Sequence, residues 1–269
     1  MVKIGTSTIL NIDCVEYMQS LPDKFFDLTV TSPPYDKLRT YNGSNDEWCE
    51  DKWKSVISCL YSVTKDSGVV VWIVGDQTIN GSETGTSFKQ ALYAKDCGFN
   101  LHDTMIYRKK NYTPLTHNRY EQEFEYIFIF TKGKKFTFSP IKVPCKYAGT
   151  STWGEPNMYK DNSGNLTRVK KTIINNEKIK GNIHEYIVGS TQTGKIKHPA
   201  MFPLELAQDQ IFSWSNENDL VFDPFMGSGT SAIACANLKR KFIGTEIDDQ
   251  YYALARERIE YHAKQQRLF

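Results

Sequence analysis

The residues most capable of chemistry stand where a short apolar run stops, in the sequence TSPPY. Proline cannot donate a hydrogen bond to a sheet ladder, and it confines the residue before it to extended conformations. Pro33 and Pro34 therefore end a strand in a rigid corner, which presents the Ser32 hydroxyl, a fixed carbonyl and the ring of Tyr35. Ligands bind beyond the carboxyl ends of the strands in an open α/β sheet, so the corner is predicted to form a site. A plain turn around a buried tyrosine is the structural alternative.

A second candidate site is the sequence DPFMGSGT, in which Gly227 and Gly229 separate an apolar strand from a helix of small residues. Glycines here let the backbone approach a ligand closely and let the helix pack on the sheet. The turn is not a P-loop, because no Lys-Ser or Lys-Thr follows, and Ala232 replaces the third glycine of the dinucleotide-binding fingerprint. The next strand ends in Glu246, whose carboxylate suits a ribose diol. Asp248 or the aspartate after it is expected to cap the following helix.

Short apolar runs bounded by turn residues predict four buried strands, at residues 8–12, 27–31, 68–74 and 219–223. They alternate with segments of helical spacing such as WKSVISCLYSV and SFKQALYAKDCGF. This pattern is typical of an α/β fold with a mostly parallel, doubly wound sheet. Two later runs, LHDTMIYRK and FEYIFIFTKG, have no helical pattern between them. We expect them to form an antiparallel hairpin at or near one edge of the sheet.

The pattern decays between about residues 131 and 197 into Gly, Asn, Ser, Thr and Lys, which predicts a small, loop-rich insertion on the α/β scaffold. Residues 131–200 carry 13 Lys and Arg against 4 Asp and Glu, although the whole chain has a net charge of only +2. A basic segment in an otherwise acidic chain suggests a polyanion such as nucleic acid as partner, because phosphate contacts supply most sequence-independent affinity. A lysine-rich solvated surface is the alternative interpretation.

The composition, 40% hydrophobic over 269 residues, suits one large domain or a domain with an insertion. The six cysteines include no C-x-x-C pair, which argues against a zinc site, and no metal is expected. No apolar stretch has the length of a membrane span, and the first residues do not resemble a signal peptide. A soluble cytoplasmic protein with reduced cysteines and no membrane partner is therefore expected.

Together, TSPPY and DPFMGSGT resemble the catalytic tetrapeptide and the cofactor loop of the S-adenosylmethionine-dependent DNA amino-methyltransferases, which methylate N6 of adenine or N4 of cytosine. The resemblance spans nearly the whole chain. The catalytic motif precedes the basic insertion and the cofactor loop follows it, an order similar to the circularly permuted β group. The resemblance implies a Rossmann-like methyltransferase fold, S-adenosylmethionine as cofactor, double-stranded DNA as partner, and a homodimer as one plausible assembly. It divides the chain into a catalytic half at 1–130, a target-recognition insertion at 131–197 and a cofactor-binding half at 198–269.

The resemblance also assigns roles by position. It implies a catalytic tetrapeptide made of Ser32, Pro33, Pro34 and Tyr35. It implies a set of residues around the cofactor, namely Asp13, His198, Pro199, Phe202, Asp223, Phe225, Gly227, Gly229, Thr230 and Glu246. Within this set Glu246 would hold the ribose hydroxyls, Asp13 would accept a hydrogen bond from the adenine amino group, and His198 would pack against the methionine moiety. Capping of the helix that follows NIDC is the structural alternative for Asp13.

The corner suits this chemistry because the exocyclic amine of a nucleobase is a poor nucleophile, its lone pair being delocalised into the ring. The Ser32 hydroxyl and the Pro33 carbonyl can accept hydrogen bonds from the amine and favour a nitrogen whose lone pair points at the methyl group. Tyr35 supplies a face on which a base flipped out of the duplex can stack. Cys145, in KVPCKYAG, resembles the nucleophile of C5-cytosine methylation but is interpreted as structural, because it lies in the insertion.

The base and the reaction class keep alternatives. Serine at the first position of the tetrapeptide resembles the N4-cytosine enzymes and aspartate most N6-adenine enzymes, so N4 of cytosine is favoured and N6 of adenine stays open. A hydroxyl both donates and accepts, so Ser32 could also satisfy a ring nitrogen beside the amine in either base. An RNA or protein-amide methyltransferase, a non-catalytic DNA-binding module and a nicotinamide oxidoreductase are the alternatives from other classes. They are disfavoured by the motif order, by the intact SPPY and GSG, and by the missing third glycine, respectively.

Overall fold

The computed structural model of the chain describes residues 1–35, 48–112, 118–150, 158–168, 173–188 and 203–266. The chain divides into two compact units, one formed by Met1–Ser139 with Asn182–Phe269 and the other by Pro140–Gly181.

The helices are α1 (Cys14–Gln19), α2 (Glu50–Val63), α3 (Thr86–Asp96), α4 (Leu204–Trp214), α5 (Thr230–Asn237) and α6 (Asp249–Gln266). The strands are β1 (Val2–Ile4), β2 (Ser7–Asn11), β3 (Phe26–Thr31), β4 (Thr64–Val74), β5 (Thr78–Ile79), β6 (Ser82–Glu83), β7 (Asn100–Lys109), β8 (Phe124–Thr131), β9 (Lys142–Pro144), β10 (Met158–Lys160), β11 (Leu166–Arg168), β12 (Glu177–Ile179), β13 (Ile183–Tyr186), β14 (Leu220–Asp223) and β15 (Lys241–Glu246).

Nine strands of the first unit form one sheet in the order β1-β2-β15-β14-β3-β4-β8-β7-β13. The five neighbours from β2 to β4 are parallel, whereas β8 runs antiparallel to both β4 and β7. The predicted hairpin is therefore confirmed, and it lies one strand from the edge because β13 pairs with the outer side of β7. The predicted α/β class with a mostly parallel sheet is confirmed as well.

Strand β4 shows why the sheet carries helices on both faces. Its run GVVVWIV is apolar throughout, because alternate side chains of a strand enter opposite layers. Val69 and Ile73 pack in one hydrophobic cluster with side chains of α4, α5 and α6. Val70 and Trp72 pack in a second cluster with side chains of α2 and α3. Each fully buried aliphatic or aromatic side chain contributes roughly 1.5–3 kcal/mol, so both faces stabilise the fold.

Because β3, β14 and β15 are parallel, their carboxyl ends lie on the same side of the sheet, and so do the three segments that follow them. β3 ends at Thr31, directly before the SPPY corner, and β14 ends at Asp223, directly before the glycine turn. β15 ends at Glu246. Because β14 pairs with both β3 and β15, two motifs that are far apart in sequence start from neighbouring strands.

The second unit, Pro140–Gly181, contains two antiparallel strand pairs, β9 with β12 and β10 with β11. Its described residues form no helix, which agrees with its Gly, Asn, Ser and Lys content. The unit is narrower than the segment predicted as an insertion, since the first unit includes the chain up to Ser139 and again from Asn182.

Two features are absent from the described residues. None of their helices combines the length and the apolar character that crossing a membrane requires. No group of three or more His, Cys, Asp or Glu side chains in those ranges is arranged to hold a metal ion.

Candidate active site

The glycine turn and Glu246 form one hydrogen-bonded unit. Gly227 and Gly229 have φ angles of 52° and 80°, in the left-handed region that residues with a side chain rarely adopt. Glu246 accepts the Gly227 N–H through Oε2 and the Asp248 N–H through Oε1, each at 2.9 Å. The carboxylate thus ties the end of β15 to the loop that follows β14. Each of its oxygens keeps a further lone pair for a ligand hydroxyl.

The electrostatic state of Glu246 is set mainly by burial. Burial raises its pKa to about 7, although the backbone N–H groups of Asp248 and Gly227 act in the opposite direction. The charges of Asp248 and Asp223 raise the pKa further. A hydrogen-bond donor such as a ribose hydroxyl favours the ionised form, so a ligand that supplies two such donors would be bound by a charged acceptor.

Asp223 lies beneath the turn and is 1% exposed. Its Oδ1 accepts from the Thr31 hydroxyl at 2.7 Å and from the Phe225 N–H at 3.1 Å, and its Oδ2 accepts from the Ser231 hydroxyl at 2.7 Å. Burial raises the pKa of Asp223 to about 6, against the effect of these hydrogen bonds. Asp223 therefore joins the end of β3 to the start of α5 and holds the corner and the glycine turn in a single frame.

Helix α6 supports the turn from another side. Arg258 donates from Nη1 to the Ser228 hydroxyl at 2.7 Å and to the Ser228 carbonyl. Burial lowers the pKa of Arg258. A Cβ atom at Gly229 would lie 3.1 Å from Ile259 and 3.3 Å from Ala255, so position 229 requires glycine for close packing as well as for its φ angle.

The turn also contains a buried hydroxyl that lacks a partner. Thr230, the first residue of α5, has an Oγ1 atom with no hydrogen bond within the described ranges. Leaving such a group unsatisfied costs about 1–3 kcal/mol, which a polar ligand seated in the turn would offset. Left-handed glycines, an unpaired hydroxyl and the Glu246 carboxylate together fit a nucleoside ligand such as S-adenosylmethionine.

The SPPY corner has its own network of side chains. Pro33 is buried, Ser32 and Pro34 are half-buried, and Tyr35 is 7% exposed. The Ser32 hydroxyl lies 2.9 Å from the Tyr35 hydroxyl, which donates to Glu125 at 2.7 Å. The corner is thus fixed by side-chain contacts and by proline, and the exposed part of the Tyr35 ring is small.

Asp13 performs the structural role considered for it. It caps α1 by accepting the N–H groups of Val15 and Glu16 at 2.8 and 3.2 Å, and its second oxygen lies 2.5 Å from the Lys52 ammonium. Burial alone would raise the pKa of Asp13, but the hydrogen bonds from Lys52 and the backbone outweigh it and lower the pKa. A contact between Asp13 and the adenine amino group remains a prediction. Asp248 caps α6 as expected, accepting the next free N–H groups of that helix.

Two residues of the site were missed at the level of sequence. Trp48 packs edge-to-face on Phe225 with ring centroids 5.3 Å apart, and its buried Nε1–H has no partner in the described part of the chain. Glu125 is 8% exposed and bonded to the corner. The available signals were a lone tryptophan in a polar stretch and a charged residue inside the apolar run FEYIFIF.

Three residues of the predicted cofactor set belong to a segment outside the described ranges. His198, Pro199 and Phe202 lie outside the described residues, so their predicted contacts with the methionine moiety stay predictions. Cys145 follows β9 in the second unit and is a free thiol.

Comparison with known proteins decides the family. The sequence profile of the N6/N4 DNA methylase family matches residues 26–257 of the chain. The chain belongs to this family. An orphan methyltransferase of Bacillus amyloliquefaciens, M.BamHII, is 46% identical over 247 residues, which cover 90% of this chain and 91% of the relative. The type II methyltransferase M.SmaI of Serratia marcescens is 28% identical and covers 92% of this chain and 88% of its own.

Solved structures agree with this assignment. The cytosine-N4-specific PvuII DNA methyltransferase superposes with a TM-score of 0.68 over 96% of this chain and 92% of its own, at 19% identity, which shows the shared fold. The complex of M1.HpyAVI with S-adenosylmethionine superposes with a TM-score of 0.62 at 25% identity, over 94% of this chain and 98% of the other. The Rossmann-like methyltransferase fold is therefore confirmed, and circular permutation remains a prediction. The protein is a DNA methyltransferase of the N6/N4 class with S-adenosylmethionine as its cofactor.

Proposed function

We propose that this DNA methyltransferase is site-specific and methylates N4 of cytosine on a base that has left the duplex. The observation that carries the proposal is Ser32, the first residue of the corner, which lies in hydrogen-bond contact with Tyr35 at the edge of the sheet where the glycine turn also begins. Serine at this position resembles the N4-cytosine enzymes. The PvuII enzyme, which shares the fold, is named as cytosine-N4-specific.

The geometry of the two motifs supports the roles that the resemblance implies. S-adenosylmethionine supplies an electrophilic methyl group. Glu246, Thr230 and the glycine turn would hold this cofactor, and Asp223 fixes the turn through its hydrogen bond with Ser231. Ser32 and the Pro33 carbonyl accept hydrogen bonds from the target amine and localise its lone pair. The base must be extruded, because its amine is otherwise paired and its reacting atom is out of reach within the duplex.

N6 of adenine is the second candidate, because the family profile covers both products. The deciding experiment is digestion to nucleosides of DNA modified in vitro, followed by mass spectrometry of each methylated species. N4-methyldeoxycytidine is the expected product. N6-methyldeoxyadenosine as the main product would overturn the base assignment, and 5-methyldeoxycytidine would overturn the mechanism and turn attention to Cys145.

The recognition of double-stranded DNA by the second unit and the formation of a homodimer are further proposals that rest on the resemblance. Sequencing of a modified plasmid with a method that reports base and context would define the recognition site. Light scattering during gel filtration, with and without duplex DNA, would give the oligomeric state. A protein that is monomeric under both conditions would contradict the homodimer.

A further inference from the structure

The SPPY corner continues into the sheet through side chains that no motif includes. Tyr35 Oη donates to Glu125 Oε2 at 2.7 Å, and the Lys109 ammonium lies 2.7 Å from Glu125 Oε1. Glu125 comes from β8 and Lys109 from the end of β7, so the hairpin of the sheet supplies both. With the Ser32 hydroxyl 2.9 Å from Tyr35 Oη, four side chains form one chain of contacts, which we call the Ser32–Lys109 chain.

The chemistry of these groups fixes the direction of hydrogen-bond donation along the Ser32–Lys109 chain. An ionised carboxylate only accepts hydrogen bonds, and an ammonium only donates them. The single proton of the Tyr35 hydroxyl therefore points to Glu125. The hydrogen bond between Ser32 and Tyr35 must then use the proton of Ser32, although either oxygen could be the donor from their positions alone. The Ser32 oxygen is left with its lone pairs facing away from Tyr35.

We propose that Glu125 and Lys109 are positioning residues that turn Ser32 into a dedicated hydrogen-bond acceptor for the amine of the target base. This inference rests on the proposed function of the corner. Lys109 supplies the compensating charge, without which the carboxylate of Glu125, whose side chain is 10% exposed, would be a nearly buried and unpaired anion. Tyr35 transmits the orientation, in addition to offering part of its ring to the base.

The proposal changes the role that a serine plays at this position. A free hydroxyl could donate to a ring nitrogen beside the amine, which was one reason to leave the target base open. In the Ser32–Lys109 chain the proton is committed to Tyr35, so Ser32 presents the base with acceptors alone, as an aspartate would. Ser32 therefore performs the polarising function common to both amine targets. The preference for cytosine in the proposed function rests on the resemblance of Ser32 to the N4-cytosine enzymes and not on the hydrogen bonds that Ser32 makes.

The test uses two variants that disturb the hydrogen bonds of the Ser32–Lys109 chain in different ways. Tyr35→Phe keeps the ring and removes the link, which frees the Ser32 hydroxyl to rotate. Glu125→Gln keeps the shape but reverses the direction, because Lys109 attracts the amide oxygen and leaves the amide N–H₂ facing Tyr35. The tyrosine proton must then turn to Ser32, and the Ser32 proton turns toward the amine of the base.

Single-turnover methyl transfer is measured at saturating cofactor on plasmid DNA from a host that lacks DNA methyltransferases. Tyr35→Phe is expected to lower the rate about 10-fold and Glu125→Gln about 100-fold, by analogy with the loss found when a hydrogen-bond partner that orients a metal ligand is removed. The double variant is expected to match Tyr35→Phe and to be faster than Glu125→Gln alone, because reversal has no effect once the link is absent. Cofactor affinity, measured by calorimetry, stays within a few-fold throughout.

Glu123→Gln is the matched control. Glu123 lies two residues before Glu125 and pairs with the half-exposed Arg108 at 2.8 Å, so its variant is expected to react at the wild-type rate. Rates near wild type for Tyr35→Phe and Glu125→Gln, or effects that simply multiply in the double variant, would overturn the proposal. If Glu125→Gln does not fold, the rate of Tyr35→Phe alone is decisive. A rate of Tyr35→Phe within twofold of wild type would reject the role proposed for the Ser32–Lys109 chain. A wild-type protein that binds cofactor but methylates no base would instead contradict the proposed function.

Discussion

The two motifs at the carboxyl ends of β3 and β14 are held in place in different ways. The glycine turn is held mainly by acids that bond to groups close to them in sequence, as Glu246 bonds to Gly227 and Asp223 to Phe225. Arg258 of α6 adds a bond to Ser228. The SPPY corner is held by side chains from separate parts of the chain, with Tyr35 after the end of β3, Glu125 on β8 and Lys109 on β7. The proposed cofactor end depends mostly on residues that are close in sequence, and the proposed catalytic end depends on the assembled sheet.

Because of this difference, we expect cofactor affinity and the rate of methyl transfer to depend on different residues. The two ends are joined by the hydrogen bond from Thr31 to Asp223, but each has its own set of supporting contacts. Changes at the corner are therefore expected to affect the rate of methyl transfer at constant cofactor affinity. Changes at the turn are expected to affect cofactor affinity first.

The largest effect is expected at the corner. Ser32→Ala and Tyr35→Ala should lower the rate of methyl transfer by about 10²–10³-fold or more, because each removes a group that contacts the reacting base in the proposed mechanism. The dissociation constant of S-adenosylmethionine should stay within a few-fold of wild type. Tyr261→Ala, at an exposed tyrosine of α6, is the control and should be fully active. Lost cofactor binding or unfolding in both corner variants would show that the corner is structural.

The same difference explains what could be predicted from the sequence. The glycine turn and Glu246 are encoded within about 20 residues, so the order of strand, glycines, helix, strand and acid was sufficient to find them. Strands β2, β3, β4 and β14 and the hairpin of β7 and β8 followed from apolar runs and turn residues, and the hairpin was confirmed. Glu125 was missed because a lone carboxylate in an apolar strand acquires its partner only when β8 has paired with β4. Asp223 was assigned to the cofactor, and its bond to Thr31, 192 residues away, is equally invisible in the sequence.

The second effect concerns the cofactor end. Glu246→Ala should raise the dissociation constant of S-adenosylmethionine at least about tenfold, which corresponds to loss of a charge-assisted hydrogen bond of about 1.5–3 kcal/mol. The variant also releases the N–H groups of Gly227 and Asp248, which adds to the loss. Activity should recover at saturating cofactor, unlike that of the corner variants. Glu260→Ala, which breaks the exposed pair with Arg256, is the control, and unchanged affinity in Glu246→Ala would remove this residue from the site.

The third effect is a pH dependence of cofactor binding. Because burial raises the pKa of Glu246 to about 7 and ribose hydroxyls favour the ionised carboxylate, affinity should fall about tenfold between pH 8 and pH 6. The titration of Glu246 makes the stability of the cofactor-free protein depend on pH in the opposite direction. Its folded state holds the proton more tightly than the unfolded state, so this contribution is present below the ordinary pKa of 4.5 and is lost as pH rises through 7.

Calorimetric titrations at several pH values would check this prediction, with Glu246→Gln as the variant that cannot titrate. The affinity of that variant should be lower and nearly independent of pH across the same range. Asp223, whose pKa is raised to about 6, is the other buried acid in this frame and would account for any dependence that remains below pH 6. An equally steep dependence in Glu246→Gln would assign the titration to another group.

The smallest effect concerns the second unit, which lies within the basic segment of the sequence. Lys170 and Lys171 of the basic segment lie outside the described residues, whereas Lys146 and Lys178 are exposed lysines of the described part of Pro140–Gly181. If each contacts a phosphate, replacing both by Ala should weaken binding to every duplex alike. It should also reduce the slope of log affinity against log salt by about 0.9 per residue, because fewer counterions are released. The matched control is the double variant of the exposed Lys95 and Lys239 in the first unit, which makes the same change in net charge. Equal slopes for the two double variants would mean that net charge alone steers DNA to the protein, and that the lysines of Pro140–Gly181 are a solvated surface.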